Sequence, residues 1–446
     1  LILNKLTAVK QKLNPNLLKI IGNTGWLFTE KIVQMFLGLL VGVWITRYLG
    51  PERFGRLNYA IAIVGLFLPF AKLGLDSIAI RNLARDPGCK NETLGTSLFL
   101  RLIGSTLTFF IVLGVITVST SSENPNYWET VWLVGIAAFG TIIQSFEVID
   151  YWFQSQVQSK YSVLARNSAY VLMNGVKVIL IQMKAPLIAF AIAMVVEYGL
   201  SAIGLIIAYR FNGNLLQAWK VNSHHAKSLL QDSWPLILSG IVIMIYMRID
   251  QVMLGQIVGE KSVGIYSAAV KISELWYFVP SAIVNSVFPS IVQAKEIGEM
   301  VYYRRLQHLF TTVTLLAYAV AIPVTFLATP IVTLIYGESY AEAGAILNIH
   351  IWAGLFVSLG VARETWITTE GLMKFSAVTS AIGAIVNIIL NLILIPQYGG
   401  LGAAIATVIA QIIASYAIGA FYLPTRRIFI HQTKAITLLG LLGRST

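Results

Sequence analysis

Runs of about twenty almost wholly apolar residues recur twelve times along this chain, near 23–46, 57–75, 93–118, 131–151, 162–182, 187–209, 234–255, 263–292, 308–329, 344–367, 374–395 and 400–422. A helix needs about 20 such residues to cross the hydrocarbon core of a bilayer. Inside lipid every backbone N–H and C=O must find a partner within the protein, which leaves helices and closed barrels. A barrel would show alternating segments of about ten residues. These runs are longer and apolar on every side, so the spacing predicts helices. Composition agrees: 57% of the 446 residues are apolar and 12% charged, against about 45–50% and about 25% in ordinary soluble domains. A soluble multi-domain enzyme, a disordered chain and a disulfide scaffold are thereby excluded. Cys89 is the single cysteine, so no intrachain disulfide forms.

Lys5, Lys10, Lys12 and Lys19 precede the first apolar run. That run is too long for a signal peptide and no small-x-small site follows it, so it reads as a retained span. The net charge is +12, which in a membrane protein points to basic cytoplasmic loops rather than to nucleic acid. Counted over alternating connections, 20 Lys and Arg fall on the side of the N-terminus and 5 on the other. Both termini are therefore expected in the cytoplasm. Three of those five, Arg47, Arg53 and Arg56, crowd into RYLGPERFGR (47–56), read as the loop between the first two spans and as a hint of function.

The two halves resemble each other. LG at 49–50 and FGRLNYA at 54–60 have counterparts in LG at 254–255 and VGIYSAA at 263–269. LIQMKAPLIAFAIA (180–193) likewise matches LILIPQYGGLGAAIAT (392–407) when Leu187 is laid on Leu401, which sets Glu197 on Gln411. With six helices per half, the repeats share one orientation about an axis along the membrane normal. The expected architecture is an all-α integral membrane protein of about twelve transmembrane helices in two six-helix lobes. Its parts are a cytoplasmic segment (1–22), a first lobe (23–209), an inter-lobe loop (210–233), a second lobe (234–422) and a cytoplasmic tail (423–446).

Enzyme motifs are missing: there is no G-x-x-x-x-G-K-[ST], H-E-x-x-H, C-x-x-C or G-x-S-x-G. His224 and His225 lack partners at metal-ligand spacing and read as a solvated polar face. Ionisable groups inside the apolar runs carry the information, because each costs at least about 2.5–3.5 kcal/mol at the bilayer centre without a polar surrounding. They are Glu30, Lys31, Arg101, Glu147, Asp150, Lys177, Glu197, Arg248, Asp250, Lys271, Glu274, Arg363 and Glu364. Lys271 and Glu274 share a helix face and suit a neutralised pair. Glu147, Asp150, Arg363 and Glu364 lie near helix ends, and Lys177 reads as snorkelling. Arg248 and Asp250, two apart, point opposite ways and cannot pair with each other. Glu197 sits near the midplane without a charged neighbour in sequence, and Arg101 lies about two turns into its span. Pro280, Pro289 and Pro323 are expected to bend or interrupt their helices.

RYLGPERFGRLNYAIAI (47–63), DYWFQSQVQSKYSVLAR (150–166), RIDQVMLG followed by VGIYSAAVKI (248–272), and IPQYGGLGAAIAT (395–407) resemble the polysaccharide repeat-unit flippases, or O-antigen translocases. These are the Wzx-type members of the multidrug/oligosaccharidyl-lipid/polysaccharide exporter superfamily. The resemblance spans all twelve expected helices. It implies a V-shaped bundle of two lobes in the bacterial inner membrane. The implied cargo is undecaprenyl diphosphate-linked oligosaccharide, moved from the inner to the outer leaflet with a coupling Na+ or H+. Glycan polymerase and chain-length proteins are the implied partners.

Of the motif positions, Arg248, Asp250 and the 47–56 segment carry over. Physical reasoning adds Arg101, Lys271, Arg47 and Lys31 to Arg248 as cations for a diphosphate. Asp250, Glu197, Glu30 and Glu274 are the acids for a coupling cation. No cofactor, metal or catalytic residue is expected. A cation-coupled multidrug exporter of the same superfamily is the rival reading, although its cavity should be dominated by acids. A membrane glycan polymerase or ligase would need a sizeable outward domain, and no outward connection exceeds roughly 15 residues.

Overall fold

The computed structural model describes residues 15–119 and 125–439, and among these there is no β-strand. Lys5, Lys10 and Lys12, most of the 1–22 segment and Arg444 lie outside the described residues. Among the described residues ten stretches are long and apolar enough to cross a membrane. The difference from twelve windows has two sources. Gly22–Arg85 contains both of the first two windows. Lys160–Gln182 is long enough, but Arg166, Asn167, Asn174 and Lys177 dilute its apolar character. Phe36, Phe110, Phe326 and Leu334 are exposed, an arrangement that water would penalise and lipid favours. The chain is a multi-pass membrane protein.

Helix α1 runs Pro15–Lys72 with one departure from helical geometry, at Gly50 (φ 70°, ψ 171°). The expected 47–56 loop is thus helix on both sides of a kink. Gly50 takes a positive φ without a Cβ penalty, and Pro51 suits the first position of the resumed helix, where no N–H is needed. The kink also divides the chain between two compact units. One unit is the chain up to Tyr48 with Ile63–Ile241, and the other is Leu49–Ala62 with Val242 onward.

The first unit continues with α2 (Leu75–Arg85), α3 (Lys90–Ser119), α4 (Tyr127–Ile143), α5 (Val148–Ser155), α6 (Lys160–Gln182) and α7 (Leu187–Phe211). Helix α2 carries its apolar residues Leu75, Ile78, Ala79 and Leu83 on one buried face. Ala79 and Leu83 pack with Leu94, Ile149, Phe153 and Tyr209 into one core. Helix α8 (Ser223–Ile257) begins inside the segment read as an inter-lobe loop and passes from the first unit into the second.

The second unit contains α9 (Glu260–Leu275), α10 (Phe278–Ile297), α11 (Glu299–Tyr336), α12 (Ala343–His350), α13 (Ala353–Glu370), α14 (Met373–Tyr398), α15 (Gly400–Ser415) and α16 (Arg426–Ile436). The 263–292 window is two helices, broken at Trp276 and Tyr277 just ahead of Pro280. Pro280 sits in the first turn of α10, where its missing N–H breaks no helical bond. Pro323 and Pro330 lie inside α11, which is helical throughout, so of the bend or interruption expected at Pro323 the interruption does not occur. Helix α15 buries Ala403, Ala404, Ala406 and Ala410. Small residues let backbones approach closely where lipid supplies no hydrophobic drive between helices. Helix α16 lies in the expected tail and turns Ile428, Gln432 and Ala435 inward.

Candidate functional site

Three charged clusters organise the first unit. Arg166 on α6 grips Glu30 of α1 with Nε–Oε1 at 2.6 Å and Nη2–Oε2 at 3.0 Å, while its Nη1 donates to Asp150 Oδ2 at 2.6 Å. Gln34 and Gln154 add amide bonds to Glu30 and Asp150. Both carboxylates are buried, and Asp150 Oδ1 has no partner. Two acids on one guanidinium leave this cluster one negative charge in excess.

Arg101, 2% exposed, donates Nη1 to the Tyr151 hydroxyl at 2.8 Å and lies 3.8 Å from Asp76 and 3.6 Å from Glu147. Tyr151 in turn donates to Asp76, and Lys72 reaches Glu147 at 4.0 Å. This group is neutral overall, and the guanidinium is enclosed rather than presented to a ligand. The third cluster is a pair: Lys177 Nζ meets Glu197 Oε2 at 2.7 Å. Glu197 is therefore not isolated, and Lys177 does not snorkel. Their partnership crosses the tight turn between α6 and α7, where linear separation hides proximity.

In the second unit Asp250 is 5% exposed. Tyr266 donates its hydroxyl to Asp250 Oδ2, and the Gln251 amide donates to Oδ1 at 2.8 Å. Tyr266 also meets the His350 ring edge-on at 6.1 Å. Arg248, on the same helix, is half-buried; Lys271 on α9 is exposed. Neither forms an ion pair among the described residues. The expected Lys271–Glu274 pair is not made, because Lys271 Nζ lies 4.5 Å over the Phe54 ring instead. Arg248, Lys271 and Glu274 nevertheless stand within electrostatic reach of one another, and Tyr277 of Glu274. The α8–α9 corner thus gathers two cations free of ion pairs, two acids and several tyrosines. The tyrosines carry no sequence signal of their own in a chain with 19 of them. Lys31 and Arg47 are both exposed on α1.

A helix crossing fixes α9 in place. A Cβ on Gly55 would overlap the Glu260 carbonyl, and a Cβ on Gly264 would overlap the Pro51 carbonyl. Each glycine therefore admits the carbonyl of the residue one turn back on the other helix. These are the two glycines that the alignment of 54–60 with 263–269 superposes. Arg56, 4% exposed, closes the crossing with Nε–Glu260 Oε2 at 2.8 Å and Nη2–Glu52 Oε1 at 3.4 Å. The basic cluster at 47–56 is in this part a clamp.

Membrane-spanning helices with charge buried among them define a polytopic membrane protein. The sequence pattern of the family described as polysaccharide biosynthesis protein matches residues 20–295, and the chain belongs to that family. The MatE pattern matches residues 235–393. The capsular polysaccharide biosynthesis protein CapF of Staphylococcus aureus is 22% identical over 91% of this chain and 99% of its own length. The putative O-antigen transporter of Escherichia coli K12 is 22% identical over 88% and 94%. Among solved structures, lipid II flippase MurJ in an inward closed conformation superposes with a TM-score of 0.70 at 16% identity, covering 96% of this chain and 93% of MurJ. At that identity the likeness concerns the fold.

Proposed function

We propose that this protein is a flippase that moves undecaprenyl diphosphate-linked oligosaccharide from the inner to the outer leaflet of the bacterial inner membrane, for O-antigen or exopolysaccharide assembly. The observation that carries the reading is the pair Arg248 and Lys271, which form no ion pair among the described residues and stand within electrostatic reach of each other in a chain of this family. A diphosphate is bound best by cations whose charge is not already neutralised. Sugar rings pack on aromatic faces while their hydroxyls bond to polar tips. The 20:5 distribution of basic loop residues supports an orientation with both termini in the cytoplasm. A flippase of this kind hands its cargo to a glycan polymerase and chain-length proteins.

Translocation tests the proposal. Liposomes with the purified protein should move a labelled undecaprenyl diphosphate-oligosaccharide into protection from an external glycosidase. Arg248→Glu should reduce that movement to background at unchanged expression, since an acid in place of the cation repels the diphosphate. A fully active Arg248→Glu would remove this residue from the site. The MatE match and that family's drug exporters give the second reading, a cation-coupled multidrug exporter; efflux of organic cations without glycolipid movement would establish it instead.

The coupling cation belongs to the Glu30–Arg166–Asp150 cluster, whose excess negative charge accepts Na+ or H+. Glu197 is already neutralised by Lys177. Glu30→Gln should therefore flatten the sodium and pH dependence of transport, while Glu197→Gln should leave it in place. The opposite pattern would move coupling to Glu197.

A further inference from the structure

Within the second unit, α8, α13, α14 and α15 line a half-open cavity of about 230 Å3 that the transport reading does not use. Arg363 on α13 lines it and is 4% exposed. Its Nη1 donates to the Ala414 carbonyl at 3.0 Å and its Nη2 to Thr379 Oγ1 at 3.3 Å. Its Nε has no partner, and it forms no ion pair among the described residues. The Tyr246 hydroxyl, across the cavity on α8, is likewise buried without a partner. Gln411 turns its carbonyl to Ser415 Oγ at 3.3 Å, which leaves its NH2 group without a protein acceptor. Thr379 has its own hydrogen on the Ser376 carbonyl. The surplus is thus in donors: one guanidinium edge, one phenol and one amide.

One acid, Glu364, also lines the cavity, but its Oε1 accepts from Ser376 Oγ at 2.8 Å. Consecutive positions on a helix do not face each other, so Glu364 acts on Arg363 through charge without a hydrogen bond, the Phe375 ring lies 5.5 Å from the guanidinium, and the buried Nε stays without a partner. A buried cation without an ion pair is costly, and an oxyanion bonded to its fork relieves that cost. At about 30 Å3 per water the cavity has room for about eight waters, hence for a phosphate group and a few waters but not for an oligosaccharide. Arg363 lies seven residues from the end of α13 at Glu370, about 10 Å along the axis. That depth is within reach of a lipid headgroup.

We propose that the Arg363–Tyr246 cavity binds a small oxyanion of the phosphate class, drawn from a lipid headgroup or from free phosphate. The site is separate from the Arg248–Lys271 corner and does not depend on the flippase reading.

Native mass spectrometry of the purified protein in detergent tests it, with dihexanoyl phosphatidic acid, inorganic phosphate and, as a headgroup-free control, dihexanoylglycerol as separate probes. The wild type should retain one phosphate-bearing molecule and no dihexanoylglycerol. Retention of phosphatidic acid alone identifies a lipid source, and retention of inorganic phosphate identifies a free one. Arg363→Gln should lower the affinity by about tenfold or more. Tyr246→Phe, which keeps the ring and its packing, should weaken it less and guards against a folding artefact. Glu364→Gln should retain or strengthen binding. Absence of phosphate adducts on the wild type, or adducts unchanged in both Arg363→Gln and Tyr246→Phe, would overturn the proposal.

Discussion

Gly264→Leu should abolish glycolipid translocation and lower the thermal stability of the purified protein, whereas Gly199→Ala should do neither. The contrast is steric. A Cβ at Gly264 runs into the Pro51 carbonyl, which is backbone and cannot swing aside as a flexible side chain would. Around Gly199 nothing lies within 4 Å. Forcing α9 away from residues 49–62 pulls Glu260 from Arg56 Nε, now at 2.8 Å, and Phe54 from beneath Lys271. Arg56, buried, then loses its bond to Glu260. Overpacking typically costs about 1–3 kcal/mol, and a rigid obstacle with a broken ion pair puts this site at the upper end or beyond. Gly55→Ala meets the Glu260 carbonyl and should behave alike. Because both changes force apart one crossing, the double variant should cost less than the two single effects added. A melting curve and the liposome assay on the four variants check this. Unchanged melting of Gly264→Leu would mean that the helices part without loss.

The crossing also marks what the sequence could convey. The run YLGPERFG announced a break and a cluster of charge, and Leu-Gly-Pro is an ordinary loop signal. What it does not encode locally is that helix resumes at Pro51 and that the arginines then lie on its faces, one of them inward. The apolar windows located the helices well, because hydropathy is a property of contiguous residues. They failed where a boundary is set by backbone geometry, as at Trp276 and Tyr277, which are as apolar as their neighbours. Charge partners were the least legible. From sequence Asp150 reads as a helix-end residue, and nothing local marks Arg166 as its partner. Glu30, Asp150 and Arg166 come from three helices, and which face each helix turns to the others is decided by packing. The same holds for Lys177 and Glu197. Arg248 and Asp250 could be separated from sequence alone, since their spacing within a single helix is enough to exclude a pair.

Arg166→Gln should be the most destabilising charge substitution in the first unit. Removing the guanidinium strands Glu30 and Asp150, both buried, beside each other with only Gln34 and Gln154 as donors. Loss of one partner from a buried ion pair costs about 3–5 kcal/mol, because the remaining charge stays desolvated. Here two like charges remain, so the effect should reach the upper part of that range. The triple variant Glu30→Gln, Asp150→Asn, Arg166→Gln removes every charge while keeping the side-chain volumes. It should recover most of the lost stability, since a neutral hydrogen-bonded network carries no uncompensated charge. It should not recover sodium or pH dependence of transport, because the acids proposed to accept the cation are gone. Melting temperatures separate the first effect and the ion dependence of liposome transport the second. A triple variant as unstable as Arg166→Gln would show that geometry, not charge, holds these helices together. A triple variant that still responds to the ion would place coupling outside the cluster. Recovery of stability without recovery of coupling is the outcome that the two-acid, one-base arithmetic requires.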